Sequence, residues 1–220
     1  MNSLTTPKLF ELMQDTIGML CFPRAVNIAH WVFQTAHTPG VVAEFGCNAG
    51  RTATFLSALT SKPVWLYDSF DGLPQPSKHD PQGDPVFKAG AMAVDPEEVM
   101  ERFVRHGLPA PKIVRGFFDQ LEPEHLPEAI AFAHLDGDFY HSIMASLVLA
   151  YLALSPGGAI IVDDWKWDRL PGVELAVTKF CEAEYIQPET LYGLDGETCH
   201  QALIRKPSSA PATRRAAQVP

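Results

Sequence analysis

Residues 41–70 read VVAEFGCNAGRTATFLSALTSKPVWLYDSF. Val41–Phe45 is a short β-branched run that stops on a glycine, residues 50–59 carry apolar side chains at helical spacing, and Val64–Phe70 is again apolar and aromatic. Strand, tight turn, helix, strand is the repeating unit of a parallel sheet, because parallel neighbours need a crossover rather than a hairpin.

The alternation continues downstream. Residues 96–107 (PEEVMERFVRHG) predict a helix, with acids at its start and basic residues near its end as the helix dipole favours. Lys112–Phe118 and Ala129–Asp136 predict the third and fourth strands. Residues 142–158 predict an apolar helix closed by Pro156-Gly157-Gly158, and Ala159–Asp164 the fifth strand. A helix over 172–184 and a last strand over 199–206 complete the series. Ahead of it, residues 7–36 read as two helices divided at Pro23, and about 1–38 form a helical N-terminal segment. Residues 1–206 are expected to form a single domain; 207–220 are small, polar and proline-rich, and read as disordered.

The chain has 220 residues, of which 46% are hydrophobic, enough for one well-buried core. Its net charge of −9 argues against a nucleic-acid partner, and no apolar run approaches the ~20 residues that span a bilayer. The N-terminus lacks a signal-peptide pattern and the cysteines, Cys21, Cys47, Cys181 and Cys199, include no CxxC, so a cytoplasmic protein with reduced thiols is expected. The sequence says little about oligomeric state, and a homo-oligomer is compatible with it.

In open α/β sheets ligands bind beyond the C-terminal strand ends. Those ends read EFGCNAG, YDSFDG, RGFFDQ, LDGDFYHS and VDDW. Gly46 and Gly50 allow a tight turn and close approach to a ligand, but G-x-x-x-G is not the dinucleotide fingerprint. Asp68 ends strand two at about the 20-residue offset from which an acid accepts from ribose hydroxyls. Phe70 suits an adenine face or the core equally. Asp136 ends strand four and Asp163-Asp164 end strand five; if the strands are neighbours, three carboxylates converge at one rim. Unpaired they repel, and a divalent cation removes the conflict; all-oxygen ligands suit Mg²⁺, Ca²⁺ or Mn²⁺. Asp138 is expected to cap the next helix or to stand behind the metal ligands. His134 and His141 flank this motif as candidates for an acceptor side; Asp119 follows strand three more loosely. Residues 71–94, rich in Pro, Gly, Asp and Lys, are expected to form a long exposed loop that is mobile and closes over the site.

Together, VVAEFGCNAG, VWLYDSFDGLP, VRGFF, HLDGDFYHS and LSPGGAIIVDDW resemble the macrocin O-methyltransferase (TylF-type) family of class I S-adenosylmethionine-dependent enzymes, over roughly residues 40–180. The resemblance implies a Rossmann-like α/β fold, a mostly parallel sheet with helices on both faces and an antiparallel last strand. It implies Mg²⁺-dependent methylation of a sugar hydroxyl on a natural product, a small-molecule acceptor. Asp136, Asp163 and Asp164 would be the metal ligands, with Asp136 also the catalytic base. Glu44, Gly46, Gly50 and Asp68 match cofactor positions, and Cys47, Asn48, Ser69, Phe70, Phe118 and Asp136 complete the expected cofactor contacts. The first loop departs from the family's usual aromatic and extra glycine, with Cys47-Asn48-Ala49, and His141 stands where the family often has Glu. Other readings are a catechol- or phenol-type O-methyltransferase, an NAD-dependent Rossmann enzyme, and a non-catalytic binding protein.

Overall fold

The computed structural model describes residues 11–12 and 21–208. Helix α1 (Phe22–Gln34) leads into β1 (Val41–Phe45), α2 (Arg51–Leu59) and β2 (Val64–Asp68). Then follow α3 (Pro96–Arg105), β3 (Lys112–Arg115), β4 (Ile130–Leu135), α4 (Tyr140–Ala153), β5 (Leu154–Asp163), α5 (Pro171–Glu184), β6 (Glu189–Tyr192) and β7 (Thr198–Arg205). The seven strands form one sheet in the order β3-β2-β1-β4-β5-β7-β6. The pairings from β3 to β5 are parallel, and those of β7 with β5 and β6 are antiparallel. The strand order reverses between β1 and β4, which places a crevice at their C-terminal ends.

Strand alternation sends successive side chains to opposite faces. One face, with Val42, Leu66, Phe132, Ile161 and Leu203, packs under α1, α2 and α3 through Ile28, Phe55 and Phe103. The other, with Phe45, Tyr67, Leu135, Val162 and Ile204, packs under α4 and α5 through Ile143, Leu147, Val173 and Val177. Burying each such side chain contributes roughly 1.5–3 kcal/mol.

Pro23 stands in the first turn of α1, at the division between the two expected helices, since a first-turn residue has no N–H partner to lose. Several elements differ from the sequence reading. The helix expected over 7–20 lies outside the described residues apart from Glu11 and Leu12, as does the tail from 209. Helix α4 ends at Ala153, and the Pro-Gly-Gly stretch is already strand: Leu154 pairs with Ile130, the Gly157 N–H donates to Lys206 O, and the Lys206 N–H to Gly158 O. The antiparallel neighbour supplies partners that outweigh local stop signals. Strand β6, four residues at the sheet edge, was not expected.

The 71–94 segment has no helix or strand, but it is not simply exposed. Asp80 is buried and accepts from the backbone N–H of Tyr140 at 2.7 Å, from Ser77 N–H at 2.7 Å and from Ser77 O–H at 2.6 Å. It thus caps α4, a role expected of Asp138; the α4 N-cap residue itself, Phe139, makes no side-chain cap. Gly172 lets Asp80 in, because a Cβ there would lie 2.2 Å from its Oδ1. Phe87 is buried edge-on against Trp167, and Arg169 pairs with Asp84 at 3.0 Å. Asp80→Ala is expected to cost about 1 kcal/mol of stability, the scale for loss of a helix cap, read as a lower urea midpoint. An unchanged midpoint would remove Asp80 as the cap of α4.

Candidate functional site

Gly46 ends β1 with φ +92°, and a Cβ there would sit 1.9 Å from the carbonyl oxygen of Asp136. The Asp136 N–H donates to Phe45 O at 2.8 Å, so the ends of β1 and β4 are backbone against backbone. The strand ends open into a cleft of ≈ 250 Å³. Gly46, Asn48, Asp68, Ser69 and Phe118 line one side of it, and Asp136, Asp138, Asp164, Arg24 and Trp167 another, with Leu73, Phe87 and Met92 of the 71–94 segment.

Asp68 organises the first side. Its Oδ2 accepts from Asn48 N–H and its Oδ1 from Phe70 N–H, both at 2.8 Å, which ties the loops after β1 and β2 to one carboxylate. Asn48 then donates through Nδ2 to Met92 O at 2.8 Å. Phe118 stands edge-on to Phe45, which stacks on Tyr67 with centroids 4.2 Å apart. The other expected cofactor residues lie elsewhere. Cys47 and Phe70 are buried and do not line the cleft, and burial pushes the Cys47 thiol well up, which makes it inert. Gly50 packs against Val99 at the start of α2.

The acids converge on the second side. Asp136, Asp138 and Asp164 each offer one carboxylate oxygen, all within 4.8 Å of one another. Burial, then the charges of Asp163, Asp164 and Asp138, hold the Asp136 carboxyl well above the ordinary range. Asp138 is raised in the same way, by burial and then by Asp164 and Asp163. Asp164 is pushed up to about 6 by burial and then by Asp163, with Arg24 acting against them. Asp138 and Asp164 hold left-handed backbone (φ +58° and +59°), as do Asn48 and Met92. Side chains other than glycine adopt this at a cost of order 1–3 kcal/mol, and such strain clusters at working sites.

Asp163, expected beside them, is tied up differently. Its carboxylate accepts from Gln201 Nε2 at 2.7 Å and Arg24 Nη1 at 3.1 Å, and His134 Nε2 stands 3.7 Å away. Burial pushes Asp163 up, but His134 and Arg24 outweigh it and hold it below the usual carboxylate range. His134 in turn meets Glu44 at 3.0 Å through Nδ1. Glu44 and His134 are 1% and 0% exposed and line no part of the cleft, so neither cofactor contact nor acceptor contact is available to them as placed. Burial alone would lower the His134 pKa, yet Asp163 and Glu44 raise it well above its ordinary value. His141 is exposed on the first turn of α4 and Asp119 is exposed after β3; neither reaches the cleft.

Arg24 and Trp167 were not singled out from sequence. Arg24 lies on α1, far along the chain from the acids. Trp167 follows Asp164 by one turn, its N–H donating to Asp164 O at 3.2 Å, and proximity to the VDD motif is the signal that could have found it.

Asp68→Ala should release two backbone donors. Amide exchange at Asn48 and Phe70 is expected to accelerate roughly tenfold to a hundredfold, the scale of ~1–3 kcal/mol for a lost charged acceptor. Unaltered protection at both amides would show that the loops hold themselves.

Three relatives frame this geometry. Over 142 residues the chain is 32% identical to the 8-demethyl-8-(2,3-dimethoxy-alpha-L-rhamnosyl)-tetracenomycin-C 4'-O-methyltransferase of Streptomyces olivaceus, covering 59% of this chain and 54% of that protein. Over 187 residues it is 28% identical to the mycinamicin III 3''-O-methyltransferase of Micromonospora griseorubida, covering 78% and 72%. The chain thus spans about half the length of the first and about three-quarters of the second. The O-methyltransferase NovP superposes with a TM-score of 0.72 at 24% identity, over 84% of this chain and 80% of that one, which establishes the class I methyltransferase fold. The family model of macrocin-O-methyltransferase (TylF) matches residues 24–200, from Arg24 on α1 to His200 on β7, and the chain belongs to that family.

Proposed function

We propose that the chain is an S-adenosylmethionine-dependent O-methyltransferase that acts with Mg²⁺ on a sugar hydroxyl of a natural product. The observation that carries this is the acid cluster of Asp136, Asp138 and Asp164 in the same cleft as the Asp68-tied loops. One relative is named for methyl transfer to the 4' position of a rhamnosyl-bearing tetracenomycin C and the other for transfer to the 3'' position of mycinamicin III, and the rhamnosyl group supports a sugar acceptor.

The donor set suits a hard divalent cation. Three carboxylate oxygens within 4.8 Å, on side chains whose burial and mutual repulsion raise their pKa, would be stabilised together by a dication. Asp136 and Asp164 would hold it, with Asp163 as the further family ligand and Asp138 alongside. When bound, such an ion lowers the pKa of a coordinated hydroxyl and orients it. S-adenosylmethionine supplies the activated methyl.

The chain's own residues do the rest. Asp68 holds the loops after β1 and β2 through Asn48 and Phe70, and with its remaining lone pairs it would accept from the ribose diol of the methyl donor. Asp136, at the rim between donor and acceptor sides, accepts the hydroxyl proton as the methyl is transferred. Trp167 and Phe87 present an aromatic wall to the acceptor and exclude water from it. The net charge of −9 and the acidic rim suit an uncharged acceptor better than an anionic one.

The test is methyl transfer to a deoxysugar-bearing polyketide, followed by mass spectrometry across a Mg²⁺ titration with a chelator control. Asp136→Asn should lose ~10²–10⁴-fold in turnover, and added Mg²⁺ should not restore it, because an amide cannot take the proton. Asp164→Ala should lose activity that high Mg²⁺ partly restores. Full turnover in chelator would sink the metal assignment, and wild-type turnover in Asp136→Asn the base assignment. By calorimetry, Asp68→Ala should weaken S-adenosylhomocysteine binding by ~1.5–3 kcal/mol.

A further inference from the structure

Arg24 occupies a position that the proposed metal site makes conspicuous. One atom, Nη1, donates to Asp163 Oδ2 at 3.1 Å and to Asp164 Oδ1 at 3.0 Å. Nε of the same guanidinium donates to Cys199 O on β7 at 2.9 Å, so the group is held from both ends, and its side chain is 16% exposed. The acids it bridges are the pair at the end of β5, one of them in the oxygen cluster of the cleft. A fixed positive charge therefore stands on the carboxylates that a dication would use.

Arg24 is also a wall. On its other side is a recess of ≈ 320 Å³, lined by Arg24, Pro23, Cys21, Asp195, Glu197 and His200. Asp195 and Glu197 are exposed there, in the turn between β6 and β7. A guanidinium swung off Asp163 and Asp164 would enter a space that already carries two carboxylates.

We infer that Arg24 is the resident counter-ion of the acidic rim and exchanges with the divalent cation: without metal it bridges Asp163 and Asp164, and on metal binding it moves into the recess beside Glu197. This rests on the reading of the rim as a divalent-cation site. It has two physical consequences. Buried carboxylates that would repel one another stay compensated in the empty enzyme, where an uncompensated buried charge is strongly destabilising. Metal affinity is then set by competition, and the enzyme releases the ion more readily than a bare acid cluster would.

The probe is Mn²⁺, whose binding is followed by loss of the free-ion electron paramagnetic resonance signal. Arg24→Gln should bind Mn²⁺ about tenfold more tightly or better, a scale that repulsion between a dication and a unit charge reaches at ~5 Å even in water. Arg24→Lys, which keeps the charge, should stay within about threefold of wild type. Glu197→Gln should weaken Mn²⁺ binding a few-fold in the wild-type background and not in the Arg24→Gln background, since only a displaced arginine needs that seat. The wild-type protein gives an independent reading: the Arg24 Nε–H resonance should shift on Mg²⁺ titration and saturate with the ion. Unchanged or weaker Mn²⁺ binding in Arg24→Gln, equal tightening in Arg24→Lys, or an Arg24 resonance indifferent to Mg²⁺ would overturn the exchange while leaving the metal site standing. No Mn²⁺ binding by wild type would overturn the metal site itself, and the exchange with it.

Discussion

A row of buried polar side chains crosses the centre of the sheet, and the site is built on it. Glu44 on β1, His134 on β4, Asp163 on β5 and Gln201 on β7 share the face covered by α1. Glu44 and His134 are register partners, as are Asp163 and Gln201, so the row is a direct product of strand pairing. Two carboxylates in such a place are tolerable only because an imidazole lies between them and a guanidinium closes one end. Among the described residues Glu44 Oε2 and His134 Nε2 have no hydrogen-bond partner, so the compensation there is incomplete. A slip of one residue in any of these strands would turn its polar member into the opposite apolar core, which gives the row a strong hold on register.

Helix α1 draws its importance from the same row. Its apolar face, Ala25, Ile28 and Val32, packs on the sheet, while Arg24 and Asn27 reach the polar positions beneath. Asn27 Nδ2 donates to Gln201 Oε1 at 3.1 Å, and Gln201 passes the interaction on to Asp163. A helix that could be taken for an N-terminal embellishment thereby fixes the orientation of acids at the end of β5. On the far side of the crevice the constraint is steric: β1 and β4 approach so closely at Gly46 that no side chain fits between them.

The parallel sheet and the acids at its rim were legible because each strand is a short apolar run that ends abruptly in carboxylates or glycine. Asp136 and Asp164 meet in the structure for the reason the sequence suggested, namely that β4 and β5 are neighbours. Other features depend on contacts across long stretches of chain. Arg24 lies 139 positions from Asp163, and Asp80 caps a helix 60 positions away, so neither carries a local signature. Glu44 matches a cofactor position only through the family resemblance, and His134 only flanks the acidic motif; both stand at inward-facing positions before the strand ends, where burial depends on strand pairing and on α1. The four residues of β6 are too few for periodicity to register, and Pro-Gly-Gly reads as a stop until Lys206 is known to lie opposite.

The 71–94 segment is closed at its neck by two backbone hydrogen bonds, Leu73 N–H to Ala91 O at 2.8 Å and Gly90 N–H to Leu73 O at 2.9 Å. Between those ends it touches the rest of the molecule through a small number of anchors, chiefly Asp80, Asp84 and Phe87. Such a segment behaves as a cassette. Its length and composition between the anchors can be exchanged without disturbing Asp68 or the sheet, because the neck keeps the ends in register and the anchors keep α4 capped. Grafting corresponding segments from related family members between Leu73 and Ala91, with Asp80, Asp84 and Phe87 retained, would therefore reshape one wall of the cleft while the loops tied to Asp68 stay as they are.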